Sequence, residues 1–365
     1  MIGIDTLVAT AAKEASVWDA SGLPDEVIAS AALTGVLGLD RPKAYRGSGS
    51  GPAELGSVAE RLGEVCTSLR SLLTVQSMVG AAVDRWGTTA QKEQWLPYLA
   101  TGEILAGFAA TEADAGSDLS AVHTSFDTHG SDYRVSGRKL WVTFGQAADV
   151  LLVLGRSPDG LTTALIETGW SGVSVEPVEG QLGMRGARVA HVSMDDVLVP
   201  ADNVIAPPGF GLSHVVGTAL DHGRFTVAWG CIGMARACLA DALAHASNRV
   251  QGEVVLSEHQ SVRALLGRSW VDLAGARALC ETATQQRQAR EPSAIFATVV
   301  AKYAAARVAG SVAQQSVQIL GAAGCDADSR VGRFYRDAKV MQIIEGSTEV
   351  AELHIGDYVL AGGAP

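Results

Sequence analysis

The chain changes its periodicity twice, and that pattern constrains its fold more than any other feature. From about residue 5 to residue 102, apolar residues recur at helical spacing, with breaks near Pro24 and Pro42. From residue 105 to about 208 the helical period disappears. Short β-branched runs at 133–136, 149–154, 163–166 and 173–175 replace it, bounded by turn clusters such as Ser157-Pro158-Asp159-Gly160. After Gly211 the sequence is again Ala-rich and periodic to about Leu360. Strands that follow one another without intervening helices argue for an antiparallel unit and against a doubly wound sheet. The expected fold is α+β, mostly α: a helical domain over 1–104, a central antiparallel β domain over 105–208 and a helical bundle over 209–365.

Composition narrows the function classes. With 47% hydrophobic and 18% charged residues the 365-residue chain has the make-up of a globular protein with a large core. A net charge of −11 argues against nucleic acid or an anionic membrane as partner. No uninterrupted apolar stretch approaches the roughly twenty residues that span a bilayer. The first residues lack a basic segment followed by an apolar one, so the expected location is the cytoplasm. The five cysteines contain no CxxC pair and the eight histidines no HExxH, so no metal site is expected. Cys231 and Cys238 share a helix face, as small buried side chains do. The cluster from Gly47 to Pro52 lacks the strand and the Lys-Ser/Thr of a nucleotide loop and reads as a plain loop.

The strongest chemical signal lies near the C-terminus, in Arg336-Asp337-Ala338-Lys339-Val340-Met341-Gln342-Ile343-Ile344-Glu345-Gly346-Ser347-Thr348. Val340, Met341, Ile343 and Ile344 call for burial, and Gly346 is a residue that ends helices. A carboxylate at that junction would be partly desolvated and a stronger base at neutral pH. Taken alone, the spacing favours a solvated Glu beside a helix stop, since most surface helices end this way.

This run resembles the signature of the acyl-CoA dehydrogenase family, in which Arg-Asp-Ala-Lys precedes a Glu-Gly-Thr/Ser whose Glu is the catalytic base. Two further segments resemble family motifs in the family's order. Thr111-Glu112-Ala113-Asp114-Ala115-Gly116-Ser117-Asp118 is similar to its flavin- and thioester-contacting loop. Gly137-Arg138-Lys139-Leu140-Trp141-Val142-Thr143 is similar to the strand along its flavin ring.

The resemblance, which runs from about Leu37 to the C-terminus, implies an FAD-dependent α,β-dehydrogenation of an acyl thioester with Glu345 as base. The backbone N–H of Glu345 would help polarise the thioester oxygen. Thr111, Gly116, Ser117, Trp141, Thr143 and Ser347 fall at flavin-contacting positions. Arg249, Gln260, Gln318 and Gly321 fall where relatives hold the adenosine diphosphate half of FAD across a subunit interface, implying a homodimer or homotetramer. Ser117, Asp221, Arg224 and Gly346 match substrate positions, with Asp221 and Arg224 as a pair along the pantetheine arm. Gly252, Phe144 and Glu349 depart from the family pattern.

The segments 66–76 and 228–233 resemble the branch acting on acyl carrier protein (ACP) in making methoxymalonyl or hydroxymalonyl polyketide extender units. An acidic carrier could dock on Arg41, Lys43, Arg46 or Arg70, although scattered solvated charges would look the same. An electron-transfer flavoprotein is the implied electron acceptor. The alternatives are a dehydrogenase or oxidase of short-chain acyl-CoA, and a flavin-free scaffold on the same fold.

Overall fold

The structure, a computed structural model, describes residues 3–363; Met1, Ile2, Ala364 and Pro365, at the ends of the expected first and third domains, lie outside them. Five helices come first: α1 (Gly3–Ser21), α2 (Asp25–Leu33), α3 (Pro52–Val65), α4 (Thr67–Trp86) and α5 (Thr89–Thr101). Local chemistry explains their ends. Pro52 opens α3, where its missing N–H costs nothing. Thr88 and Gln91 satisfy each other's backbone donors in a capping box at α5. The segment 47–51 is the loop the sequence indicated. Helix α4 is buried on all sides from Thr67 to Val83 and forms the axis of this half.

The β region contains β1 (Ala106–Ala109), β2 (Ser125–His129), β3 (Asp132–Val142), β4 (Val150–Ser157), β5 (Gly160–Glu167), β6 (Val173–Pro177), β7 (Ala190–Val199) and β8 (Val204–Ile205). They form one sheet in the order β6-β7-β3-β2-β4-β5-β8, with β1 beside β4. Most neighbours pair antiparallel, as expected, but β4 runs parallel to both β1 and β2, so the sheet is mixed. The connection from β1 through residues 110–124 and the β2–β3 hairpin is long enough to bring the chain back in the same direction. Residues 150–154 of β4 are all buried, because both faces of the strand are covered. Val150 and Leu152 pack with Met78, Trp95 and Leu96 of the helices, whereas Leu151 and Val153 pack with Phe126 and Val192 within the β layer.

Next come α6 (Gly217–Asn248), a hairpin of β9 (Val250–Gln251) and β10 (Val254–Val255), α7 (Gln260–Ala289), α8 (Ala294–Leu320), α9 (Arg330–Met341) and α10 (Thr348–Leu360). Two helical stretches, Gly211–Asn248 and Ala294–Cys325, are long and apolar enough on average to cross a membrane, although neither is an uninterrupted apolar run. Both contribute to the bundle core, through Phe225, Val227 and Ile232 on α6 and Ala301, Ala305 and Val312 on α8. Helix α3 crosses α6 so closely that a Cβ on Gly233 would stand 2.0 Å from the Glu60 carbonyl oxygen.

One α4 side chain ties the first helical part to the sheet. Gln76 donates to the carbonyls of Leu99 and Ile104, both at 2.8 Å, and accepts from the Ala106 N–H at 2.9 Å. It therefore sets the start of β1, which leads directly into the Thr111 loop.

Candidate active site

Glu345 is set by the elements on either side of it. Helix α9 buries Phe334, Ala338 and Met341 and ends there. Ser347 caps α10 by accepting from the Val350 N–H at 3.3 Å, and the Thr348 N–H reaches back to the Gln342 carbonyl at 2.9 Å. In the loop between, Glu345 (φ 56°) and Gly346 (φ 92°) are both left-handed. For glycine this costs little; for glutamate it is strain that its surroundings must hold. Contrary to the sequence expectation, Ile343 is 57% exposed, because the chain has left the helix before reaching it.

Two cations hold the loop. Arg224 Nε donates to the Glu345 carbonyl at 2.8 Å, and Lys302 Nζ donates to the Gly346 carbonyl at 2.6 Å. The Glu345 N–H makes no backbone hydrogen bond among the described residues. The carboxylate lies over Gly223, and Oε2 is buried without a hydrogen-bond partner. Burial pushes its pKa up, and Arg224, Lys302 and Arg70 only partly offset this, leaving it at about 7.

Arg70 is not on the surface. It is 1% exposed, with Nη1 donating to Thr74 Oγ1 at 2.9 Å and Nη2 beside Met341 Sδ at 2.9 Å. Arg41, 4% exposed, is paired with Asp40 at 2.6 Å. Neither can dock a carrier protein; of the four basic residues considered, only Lys43 and Arg46 are exposed. Their burial reflects apolar neighbours on α4 and its adjoining loop, which residue type alone does not reveal. Asp221 and Arg224, read as a pair, take separate partners. Asp221 binds Arg287 at 2.7 Å, one helical turn from where Arg224 meets the Glu345 loop.

The other two motifs lie side by side, joined by the Leu140 N–H and the Thr111 carbonyl at 2.8 Å. A buried ion pair secures them, Lys139 Nζ to Glu112 Oε1 at 2.6 Å. Burial works to raise Glu112, but hydrogen bonds from Lys139, Thr124 and the His123 and Thr124 N–H groups overcome it and hold the carboxyl at about 2. Trp141 sits in a bulge of β3 with φ 59°, its N–H donating to His191 Nδ1 at 3.2 Å, and is 56% exposed. Thr111 and Thr143 are half-buried, and Ser117 is exposed. Around Gly116 nothing but the Thr111 methyl comes near, at 3.9 Å from where a Cβ would be. An open indole, flanked by hydroxyls and accessible glycine backbone, fits a planar heteroaromatic ring that covers it. Phe144 is fully buried in the core.

Arg249, Gln260, Gln318 and Gly321 gather at one end of the bundle, all exposed. Their helices meet there in a small cluster of Ala242, Ala246 and Ile319 with Leu256, Val262 and Leu320. Gly252 (φ 65°) and Glu253 (φ 73°) are the two turn residues of the β9–β10 hairpin, a left-handed twist that favours glycine at the first of them. Among the described residues no group of three or more His, Cys, Asp or Glu is placed to hold a metal. Sequence reasoning missed Lys302, Gly223 and His191. For Lys302 a signal existed: a single charge inside the apolar run Val299-Val300-Ala301-Lys302-Tyr303-Ala304.

Comparison with known proteins agrees with this geometry. Models described as the acyl-CoA dehydrogenase N-terminal, middle and C-terminal domains match residues 5–103, 107–197 and 210–360. A short-chain-specific acyl-CoA dehydrogenase of Clostridium acetobutylicum is 30% identical, over 94% of this chain and 92% of its own. Among solved structures, FkbI, described as serving biosynthesis of a methoxymalonyl extender unit of a polyketide immunosuppressant, matches with TM-score 0.92 and 35% identity over 99% of both chains. A glutaryl-CoA dehydrogenase from Mycobacterium smegmatis, solved in complex with FADH2, matches with TM-score 0.91 and 26% identity, over 99% of this chain and 95% of that one. This chain belongs to the acyl-CoA dehydrogenase family, FAD-dependent oxidoreductases acting on acyl thioesters.

Proposed function

We propose that the chain removes two hydrogens from the α and β carbons of a short, polar acyl thioester carried on ACP, in making a methoxymalonyl-type extender unit. The observation that carries this reading is the Glu345 carboxylate, buried, unpartnered at Oε2 and poised at about 7. A base is most effective with its pKa near the working pH. Glu345 takes the α proton, while its backbone N–H donates to the thioester oxygen as negative charge develops there. Bound FAD supplies the acceptor for the β hydride; Thr111, Gly116, Ser117, Trp141, Thr143 and Ser347 would hold its ring end. Arg249, Gln260, Gln318 and Gly321 would hold the adenosine diphosphate end of FAD in a second subunit. Arg224 and Gly346 frame the base, and Asp221 and Ser117 are assigned to the thioester arm.

The likeness to FkbI supports ACP as carrier and a small oxygenated acyl group. With a glyceryl thioester, dehydrogenation gives an enediol that tautomerises to 2-hydroxy-3-oxopropionyl thioester. An α deuterium would then be lost to solvent; its retention through turnover excludes this route. A homodimer or homotetramer is supported by exposed apolar residues on α7, α8 and α10, among them Trp270, Val271, Ile295 and Leu353. The proposed location is the cytoplasm, with an electron-transfer flavoprotein as electron acceptor. A second reading, dehydrogenation of short-chain acyl-CoA, is favoured by the Clostridium relative.

The test is anaerobic addition of glyceryl-ACP, glyceryl-CoA and butyryl-CoA to the FAD-loaded protein, following the oxidised flavin absorbance. Bleaching by glyceryl-ACP alone supports the carrier-protein reading. Bleaching by butyryl-CoA alone replaces it with the second.

A further inference from the structure

Lys302 is 2% exposed in the middle of α8. Among the described residues it has no carboxylate within salt-bridge distance, and its hydrogen bond is to a backbone carbonyl, Gly346 O, at 2.6 Å. Burying an ammonium with no carboxylate in direct contact costs stability. A charge kept at such cost has a task. What it touches is the loop that presents Glu345.

That loop is strained and gripped from two helices. Glu345 and Gly346 are consecutive left-handed residues, with φ 56° and 92°. The carbonyl of the first is held by Arg224 from α6 and that of the second by Lys302 from α8. Helices α6 and α8 pack on each other in the largest core cluster, so the two cations have a fixed separation. A cavity of about 10 Å³, the space of roughly one water, lies among Arg224, Lys302, Glu345 and His354.

We propose that Lys302 is a positioning residue for Glu345: with Arg224 it clamps two successive peptide carbonyls and so fixes the turn that aims both the carboxylate and the Glu345 N–H. The inference rests on the reading of Glu345 as the base.

The charge also acts on Glu345 directly. Glu345 is faced by Arg224 on α6, Lys302 on α8 and Arg70 on α4, each of which favours its ionised form. Lys302 is faced by Cys231 and Arg224 on α6, by Glu345, and by Glu349 at the start of α10. Burial brings Lys302 down to about 8, which leaves it cationic at pH 7. Loss of its charge therefore moves the Glu345 titration upward.

The experiment uses the FAD-loaded enzyme with Lys302→Met, Lys302→Arg and Glu345→Gln. It measures the pH dependence of kcat/KM and, without substrate, the infrared carboxyl bands of Glu345 taken as the difference from Glu345→Gln. Lys302→Met is expected to lower kcat about 100-fold, the loss that a reacting group displaced by about 1 Å brings. It should also move the acid limb and the carboxyl titration to higher pH, while Lys302→Arg restores most of the rate. A wild-type acid limb and carboxyl titration in Lys302→Met overturns the proposal. If that variant does not fold, Lys302→Gln, which retains a donor but no charge, is read by the same criteria. Wild-type turnover in Glu345→Gln would instead refute the assignment of the base and leave the infrared comparison to judge the clamp.

Discussion

A Cβ on Gly223 would stand 2.7 Å from Glu345 Oε2 and 2.8 Å from Met78 Sδ. The start of α6 and the loop after α9 therefore fit together at a place where a side chain is missing. Helix interiors usually disfavour glycine, by about 1 kcal/mol against alanine. Here the absent methyl makes room for the carboxylate.

Gly223→Ala should consequently separate stability from activity. The fold gains helix propensity, while the Glu345 carboxylate is pushed off its position, and a displacement near 1 Å costs about 100-fold in rate. Stopped-flow flavin reduction beside a thermal melt checks this. Unimpaired reduction would mean that the carboxylate works from another rotamer.

Glu345→Gln should lose about 10²–10⁴-fold in flavin reduction, the range for removing a general base, while still binding FAD. In the unaltered protein kcat/KM should rise with pH through about 7, since the base acts when deprotonated. A flat profile between pH 5 and 9 would contradict that assignment.

The same carboxyl predicts a stability trade. Its folded pKa, about 7, lies above the ordinary value of 4.5, so between these the folded state binds more protons than the unfolded state. Stability therefore falls as pH rises across that window. The isosteric amide avoids the cost, so cofactor-free Glu345→Gln should be more stable than the parent at pH 8. The expected gain is about 1–3 kcal/mol, because a tenfold change in proton affinity is worth roughly 1.4 kcal/mol. Below about pH 4.5 both states are protonated and the two proteins should match. Denaturant melts at pH 4 and pH 8 provide the comparison.

Removing Lys139 should damage the flavin side. Lys139→Met leaves Glu112 buried without its ion partner, and breaking such a pair costs about 3–5 kcal/mol. The Thr111 loop loosens with it, so FAD retention on gel filtration should fall. Pairing the change with Glu112→Gln should recover part of the stability, because the orphaned charge is gone.

The apolar residues left bare on α7 and α8 set the expected assembly. Light scattering should give the mass of a dimer or larger species, and Trp270→Glu should shift it toward monomer with loss of FAD. Monomeric protein that keeps its flavin would remove the second subunit from the cofactor site.

The helix–β–helix order was legible because secondary structure follows periodicity, which neighbouring residues carry by themselves. Glu345, the Thr111 loop and the Trp141 strand were legible too, because each motif is contiguous. The β4 pairings were not, since parallel partners are set by how long connections return. Arg41 and Arg70 were misread for the same reason: whether a cation is solvated depends on which helices close over it.

By itself, then, the amino-acid sequence determined the order of the elements, the apolar faces and the presence of one carboxylate at a helix stop. Tertiary structure alone decided what that carboxylate became. Gly223, Arg224 and Lys302 lie far from Glu345 along the chain, and only packing of α6 and α8 brings a bare glycine and two cations to one loop. Desolvation and charge act through space, so the pKa of Glu345 belongs to that packing and cannot be read along the chain.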